Sequence, residues 1–171
     1  MPSTLAILIL GYVTLQRLGE LLIARANTTR LLAEGAVEVA PKHYGLIVAV
    51  HAAWLVTLWL TVGDRSILVL PLVLFAAVQA LRFWTLFSIG RRWTTRIIVK
   101  PGERLVTKGP YRWLAHPNYT VVVLEIALLP MVFGLWWVAL LFSLLNAAVL
   151  AIRIPAEARA LREMTLGRDP P

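Results

Sequence analysis

The sequence contains no cysteine, which excludes a disulfide framework, a thiolate metal site and a cysteine nucleophile. It also has no Gly-x-Gly triplet, so the glycine-rich turns that bind phosphates and dinucleotides are missing. Charged residues make up only 15% of the 171 residues, whereas 59% are apolar and the mean hydropathy is +0.75. A water-soluble chain carries about a quarter charged residues. The composition therefore indicates a chain whose main solvent is lipid.

Four long apolar stretches account for this hydropathy. They run from Leu5 to Ala24, from Leu46 to Val62, from Ser66 to Ile89 and from Tyr119 to Ile152. About 20 helical residues cross a hydrocarbon core of roughly 30 Å, so each of the first three stretches predicts one span. The fourth is too long for one crossing, and Pro130 and Gly134 predict a turn near its middle. We therefore expect an all-α polytopic membrane protein with about five transmembrane helices. Because the soluble segments are too short for separate domains, residues 1–171 form a single membrane domain.

The basic residues indicate how the chain is oriented. Seventeen Lys and Arg face nine Asp and Glu, which leaves a net charge of +8. Three segments that fall on one side of a five-span protein hold fourteen of the seventeen: residues 25–42, residues 91–112 and the tail after Ile152. Cytoplasmic loops collect Lys and Arg. This pattern predicts an N-terminus outside and a C-terminus in the cytoplasm, and it explains the basic charge without a nucleic-acid partner.

The segments between the spans suggest short local structures. We expect a short helix over Leu31–Glu38 that ends before Pro41. The runs Arg96–Val99 and Glu103–Thr107 flank a Pro-Gly pair and predict a small hairpin. Three tryptophans lie near predicted span ends, as interfacial anchors do: Trp59, Trp93 and Trp113.

Several polar residues fall within or beside the predicted spans. They are Arg17, Glu20, His51, Gln79, Arg82, Glu125 and Asn146. A charge near the bilayer centre costs ~2.5–3.5 kcal/mol on insertion scales, so these side chains should face the protein interior. Arg17 and Glu20 are spaced i,i+3 on one helix face and can pair; Arg82 can pair with Glu125. Both interhelical bridging and a role in an active site stay open for this group.

The segment from Leu105 to Tyr119 carries the sharpest local signal. Gly109-Pro110 predicts a turn, and Pro117 is compatible only with the first turn of the following helix. His116 would then lie extended beside the positive N-terminal end of that helix. We expect a pocket for an anionic ligand that combines free helix N–H groups with four side chains: Lys108, Tyr111, His116 and Tyr119.

A second cluster lies where the last span leaves the membrane. Arg153 and Glu157 are four residues apart, so a helix places them on one face. Pro155 lies between them and removes one backbone hydrogen bond, which favours a kink.

Together these clusters resemble the isoprenylcysteine carboxyl methyltransferase family of integral membrane methyltransferases. The family pattern Gly-Pro-Tyr, Arg-His-Pro-x-Tyr and Arg-Ile-x-x-Glu-Glu corresponds to Gly109–Tyr111, Ala115–Tyr119 and Arg153–Ala158. Ala115 replaces the usual Arg, and Ala158 replaces the second Glu. The N-terminal half is similar to a bacterial branch associated with type III polyketide synthases, through Arg17-x-x-Glu20, Asn27, Gly35–Glu38, His43-Tyr44 and His51.

The resemblance implies S-adenosylmethionine as cofactor and methyl transfer to a carboxylate, acidic enol or hydroxyl oxygen. The acceptor would be a lipophilic molecule dissolved in the membrane, such as an alkylpyrone or an isoprenylcysteine-like lipid. Catalytic roles fall on Arg153, which would orient the acceptor anion, and on Glu157. Cofactor binding falls on Lys108, Gly109, Tyr111, His116, Asn118, Tyr119 and Glu157. No metal is required, and the implied location is the bacterial inner membrane.

Other functions stay open from the residues alone. A membrane-embedded lipid reductase that uses NADPH could share the helices and basic loops. A phospholipid N-methyltransferase would use the same cofactor on an amine. A small transporter is a weaker alternative because no repeated halves are visible.

Overall fold

A computed structural model describes residues 2–41 and 44–165 of the chain. Lys42, His43 and Arg168 lie outside these described residues. Five α-helices occur in the described part: α1 (Thr4–Ala33), α2 (Tyr44–Thr61), α3 (Val69–Ile89), α4 (Pro117–Val132) and α5 (Trp136–Thr165). Two short strands, β1 (Val37–Val39) and β2 (Ile97–Val99), form an antiparallel pair. The predicted all-α polytopic architecture is thereby confirmed.

Four of these helices are long and apolar enough to cross a membrane: α1, α2, α3 and α5. The fourth in chain order, α4, has only 16 residues, which is about 24 Å and shorter than a typical hydrocarbon core. The outer faces are lined by exposed large apolar side chains, among them Leu15, Leu22, Leu60, Phe87 and Leu144. Such a continuous apolar exterior is stable in lipid and not in water. The protein is an integral membrane protein.

The end of α1 differs from its prediction. The helix continues from the membrane through Leu31 to Ala33, so the separate helix expected over 31–38 is wrong. Gly35 has φ +85°, a conformation that favours glycine and ends the helix. The N–H of Ala36 donates to the Leu31 carbonyl over 3.0 Å and that of Gly35 donates to the Leu32 carbonyl over 3.1 Å, as in a Schellman motif. This stop redirects the chain into β1.

The predicted hairpin over 96–107 is also wrong. β2 pairs instead with β1, with Val37 opposite Val99 and Val39 opposite Ile97. One face of the strand pair is apolar and packs on the last turns of α5 through a cluster of Val39, Ile97, Val99, Ala156 and Ala160. Burial against α5 favours this long-range partner, whereas residues 103–107 have no strand structure. The sheet therefore lies beside Arg153 and Glu157.

The helix bundle is packed at one end and hollow at the other. The packed end joins the start of α1, the end of α2 and the α4–α5 turn, and its core includes Leu10, Trp54, Leu58, Leu129 and Phe133. The α4–α5 turn falls where the sequence predicts it, since α4 ends at Val132 and α5 begins at Trp136. Because α4 and α5 are antiparallel neighbours, the start of α4 lies beside the second half of α5. The hollow end contains the candidate site.

Candidate functional site

A cavity of about 390 Å³ occupies the hollow end of the bundle. Its walls come from α1, α2 and the second half of α5, from Arg82 and Ile89 of α3, and from residues 92–99 and 111–122. The α2 residues that line it extend from Tyr44 to Leu55, a distance of about 16 Å along the helix. Leu18, Leu21 and Val48 line the cavity and are also exposed on the outside of the bundle. The cavity thus connects the loop side of the protein with the bilayer-facing surface between α1 and α2.

The loop end of the cavity is set by the turn over residues 109–112. A Cβ added at Gly109, where φ is +59°, would lie 2.0 Å from Ser88 Oγ, so only glycine allows this turn to pack on α3. The turn presents Tyr111 to the cavity. Burial, with a contribution from the negative charge of Glu157, raises the pKa of Tyr111 to about 12. Tyr111 is therefore a neutral hydrogen-bonding phenol at ordinary pH and not a base.

Three of the predicted residues meet where α4 begins. His116 precedes Pro117, the first residue of α4, and its Nδ1 lies 3.9 Å from Glu157 Oε2. The ring of Tyr119 lies 5.5 Å from that of His116 and close to the Glu157 carboxylate. Glu157 Oε2 is buried and accepts no hydrogen bond within the described residues. A buried acceptor without a donor costs about 1–3 kcal/mol, so this carboxylate is suited to a cationic or hydrogen-bond-donating ligand.

Arg153 lies one helical turn before Glu157 and borders the same cavity. Arg153 is 4% exposed, and its Nη2 donates to the Thr95 carbonyl over 3.0 Å. Its Nε is buried without a partner in the part of the chain that the structure describes. The helix continues through Pro155, so the i,i+4 relationship of Arg153 and Glu157 is kept. This guanidinium is fixed at one end and retains a donor for another group.

The structure brings together most of the residues singled out from the sequence. Six of them line the cavity: Tyr111, His116, Asn118, Tyr119, Arg153 and Glu157. The other two do not. Lys108 is exposed outside the cavity, and Gly109 contacts the α3 side chains instead.

Some lining residues were missed by sequence reasoning. Trp93 was expected at the membrane interface, but it is 3% exposed and lines the cavity. Its carbonyl accepts a hydrogen bond of 2.8 Å from Asn27 Nδ2. Thr95 and Trp54 likewise line the cavity. No motif marks these residues; Trp93, for example, is held by Asn27 of α1, which lies 66 residues earlier in the chain.

Below the loop end, a buried ion-pair network joins three helices. Arg82 of α3 donates from Nε to Glu20 Oε1 over 2.6 Å and from Nη1 to Glu125 Oε2 over 2.7 Å, and its Nη2 also pairs with Glu20. Arg17 donates to Glu20 over 3.0 Å and to Glu125 over 2.6 Å. Gln79 Nε2 donates to Glu125 Oε1 over 2.7 Å. Two cations and two anions balance one another, which offsets much of the cost of burying them.

This network reaches the cavity. Arg17, Glu20 and Arg82 are among the lining residues, together with His51 of α2. Glu125 lies six residues beyond Tyr119 on α4, about 9 Å deeper into the bundle. The cavity therefore has a loop end around Glu157 and an inner end around Arg17. Arg17, Glu20 and Arg82 both bridge the helices and line the cavity.

The region that forms the loop end of the cavity also matches a known protein family. The profile of the isoprenylcysteine carboxyl methyltransferase (ICMT) family matches residues 68–163, which extend from just before α3 into the last turns of α5. The chain belongs to this family. ICMT proteins are methyltransferases, and the matched region includes His116, Arg153 and Glu157.

Two bacterial relatives extend the similarity beyond the matched region. The uncharacterized protein YpbQ of Bacillus subtilis is 35% identical over 173 residues, which cover 93% of this chain and 98% of YpbQ. An uncharacterized protein of Haemophilus influenzae is 21% identical over 156 residues, covering 86% of this chain and 90% of its own. No solved structure matches the chain. The similarity to YpbQ thus includes α1 and α2, which form the bilayer-facing wall of the cavity.

Proposed function

We propose that this ICMT-family protein transfers a methyl group from S-adenosylmethionine to an oxygen of a lipophilic acceptor. The observation that carries the proposal is one cavity that has polar groups at its loop end and an apolar opening towards the bilayer. A water-soluble methyl donor reaches the loop end, whereas a membrane-dissolved acceptor enters between α1 and α2. The two substrates can then meet inside one membrane domain formed by the whole chain.

The residues of the loop end fit S-adenosylmethionine. The unpartnered carboxylate oxygen of Glu157 suits the cationic end of that molecule. The first turn of α4 offers free backbone N–H groups at Asn118 and Tyr119, which suit its carboxylate. Tyr111 and His116 complete the wall as hydrogen-bonding side chains. When bound, S-adenosylmethionine supplies an electrophilic methyl group.

Arg153 is the residue that we assign to the acceptor. Its buried Nε has no partner in the described part of the chain, and the residue lines the cavity one helical turn before Glu157. A carboxylate or acidic enol arrives ionised and needs no strong base; Arg153 would hold that oxygen in line with the methyl group, so positioning supplies much of the rate. For a less acidic hydroxyl, Glu157 or His116 is the base. The resemblance of the N-terminal half to the polyketide-associated branch favours an alkylpyrone over an isoprenylcysteine.

The test is ligand binding to the purified protein in nanodiscs by calorimetry. We expect S-adenosylhomocysteine to bind wild type and to bind Glu157→Gln more weakly, while NADPH does not bind. Glu163→Gln on the same helix is the matched control, because Glu163 is not among the cavity-lining residues. Binding of NADPH in place of S-adenosylhomocysteine would overturn the proposal in favour of a reductase. Methylation of phosphatidylethanolamine in preference to oxygen acceptors would instead assign the protein to phospholipid N-methyltransferases.

The orientation that this function requires is an N-terminus outside and both motif segments in the cytoplasm, where S-adenosylmethionine is made. The excess of Lys and Arg in residues 91–112 supports this orientation, and relatives in two bacteria support the bacterial inner membrane. Alkaline phosphatase or green fluorescent protein fused after Pro171 tests it. Only the fluorescent fusion should be active, and the reverse result would refute the orientation.

A further inference from the structure

The inner end of the cavity holds two hydrogen-bond donors that the protein leaves unused. Trp54 of α2 lines the cavity and is 1% exposed, and its indole Nε1 has no partner among the described residues. Arg17 Nε is likewise buried and unpartnered, although both terminal nitrogens of Arg17 bind carboxylates. Protein interiors rarely leave buried donors unpaired. Both donors belong to residues that line the cavity, and an oxygen atom on a ligand would satisfy them.

His51 supplies a hydrogen-bond acceptor at the same place. It lies three residues before Trp54 on α2, so both side chains are on one helix face, and both line the cavity. His51 Nδ1 lies 2.8 Å from the Ile47 carbonyl. A carbonyl only accepts, so Nδ1 carries the proton and Nε2 of the neutral ring is left as an acceptor. The inner end thus offers N–H donors and one acceptor, which is the complement of a hydroxyl group.

The charge of the neighbouring network selects against an anion. Arg17 and Arg82 are each paired with both Glu20 and Glu125, so the cluster has no net charge. Among the described residues of the inner end, Arg17 and Arg82 already pair with two buried carboxylates, so a bound carboxylate or phosphate would add a third negative charge beside them. A neutral hydroxyl adds hydrogen bonds without adding charge.

We propose that the inner end of the cavity is a second polar subsite, which binds the hydroxyl group of a long-chain lipid between Trp54 and His51. The hydrocarbon chain would leave through the opening bordered by Leu18, Leu21 and Val48, whose side chains face both the cavity and the exterior. Where this lipid is the methyl acceptor, the inference rests on the proposed function, and the acceptor carries a hydroxyl in addition to the oxygen that is methylated. Glu125, which pairs with Arg17 of the neighbouring network, lies about 9 Å deeper than Tyr119 along α4.

The experiment measures binding of tritiated 1-hexadecanol to the detergent-solubilised protein, with its methyl ether as competitor. We expect the unlabelled alcohol to compete at least about fivefold better than the ether, since the ether lacks the donor. Trp54→Phe and His51→Leu should each weaken binding of the alcohol by about fivefold, and His51→Gln should recover part of the loss.

The chain offers a matched control for the tryptophan. Trp59 lies on the same helix outside the cavity, and its Nε1 already donates to Thr14 Oγ1 over 3.1 Å. Trp59→Phe removes the same N–H and should leave binding of 1-hexadecanol unchanged. The proposal is overturned if wild type does not prefer the alcohol, or if Trp54→Phe and Trp59→Phe behave alike. Affinity for S-adenosylhomocysteine is measured on the same samples. If wild type does not bind S-adenosylhomocysteine, the methyltransferase proposal alone is refuted. If wild type binds S-adenosylhomocysteine but not 1-hexadecanol, the subsite alone is refuted.

Discussion

Arg82 Nη1 of α3 donates a 2.7 Å hydrogen bond to Glu125 Oε2 of α4, forty-three residues away in the chain. Both residues are nearly fully buried, and Glu20 of α1 completes the contact on the other side of the guanidinium. One side chain therefore joins three helices at the depth where the packed core gives way to the cavity. The walls of the inner end depend on this junction, because Arg17 is held by the same two carboxylates.

Replacing Arg82 should be far more damaging than replacing an exposed arginine. Arg82→Met leaves two buried carboxylates with one cation, and we expect a loss of about 3–5 kcal/mol in the free energy of unfolding. Arg92→Met is the control: Arg92 pairs with Glu103 over 2.6 Å, but both side chains are at least 30% exposed, and such pairs contribute about 0–1 kcal/mol. Reversible unfolding in mixed micelles measures both. Equal losses would contradict the assigned importance of the network.

The Gly109 turn should tolerate alanine less well than other glycine turns. Gly102 also has a positive φ, of 73°, but a Cβ there meets no atom within 4 Å, whereas at Gly109 it would overlap Ser88. Gly102→Ala should therefore cost only the backbone strain of about 1–2 kcal/mol. Gly109→Ala adds a steric clash, so it should cost more and also weaken binding of S-adenosylhomocysteine by displacing Tyr111. Thermal unfolding and calorimetry on the two variants check this, and similar behaviour of both would argue against the packing role.

The raised pKa of Tyr111 predicts that the free energy of unfolding decreases at alkaline pH. Its pKa is raised to about 12 in the folded protein, mainly by burial and then by Glu157, while the unfolded value is near 10. Between these values the folded state keeps a proton that the unfolded state has lost, so the free energy of unfolding falls as the pH rises through this window. Tyr111→Phe removes the group, and its stability should fall less between pH 10 and 12 than that of wild type. Denaturant unfolding at several pH values provides the comparison, and parallel curves would refute the shift.

The sequence predicted the parts of this protein that depend on local chemistry. Hydropathy located the helices, and the Pro117 and Gly134 positions marked where α4 begins and where the chain turns into α5. Arg153 and Glu157 remain on one helix face, as their i,i+4 spacing predicts, because the helix continues through Pro155. The pairing of Arg17 with Glu20 followed from helix geometry, and the hypothesis that Arg82 pairs with Glu125 is confirmed.

Most of the wrong predictions depended on contacts between distant segments. Ile97–Val99 was assigned a local partner, but apolar burial against Ala156 and Ala160 stabilises its pairing with Val37–Val39. The prediction of a helix over 31–38 did not take into account Gly35, a helix-ending residue that is visible in the sequence. The position of Trp93 near a span end is visible in the sequence and predicts an interfacial residue, whereas its hydrogen bond with Asn27 of α1 is not visible there.

Arg153 provides the last prediction, which separates acceptor binding from cofactor binding. Arg153→Lys keeps the charge but loses the planar guanidinium, so a single ammonium cannot both bind the Thr95 carbonyl and direct a second donor at the acceptor oxygen. A hydrogen bond between charged groups is worth ~1.5–3 kcal/mol, or roughly ten- to a hundredfold in rate if it is made in the transition state. We expect a loss of that size in methyl transfer from labelled S-adenosylmethionine, with nearly unchanged affinity for S-adenosylhomocysteine.

The comparison uses two acceptors, a long-chain alkylpyrone and a prenylcysteine, and Arg159→Lys as the control. Arg159 lies on the same helix but is exposed, so its replacement should leave both acceptors unaffected. The alkylpyrone should be the better substrate of wild type, because its acidic enol arrives ionised and does not require the second glutamate that Ala158 replaces. If Arg153→Lys retains full activity and an unchanged KM for the preferred acceptor, Arg153 does not bind the acceptor. A loss confined to S-adenosylmethionine affinity would instead move Arg153 to the cofactor side of the cavity, next to Glu157.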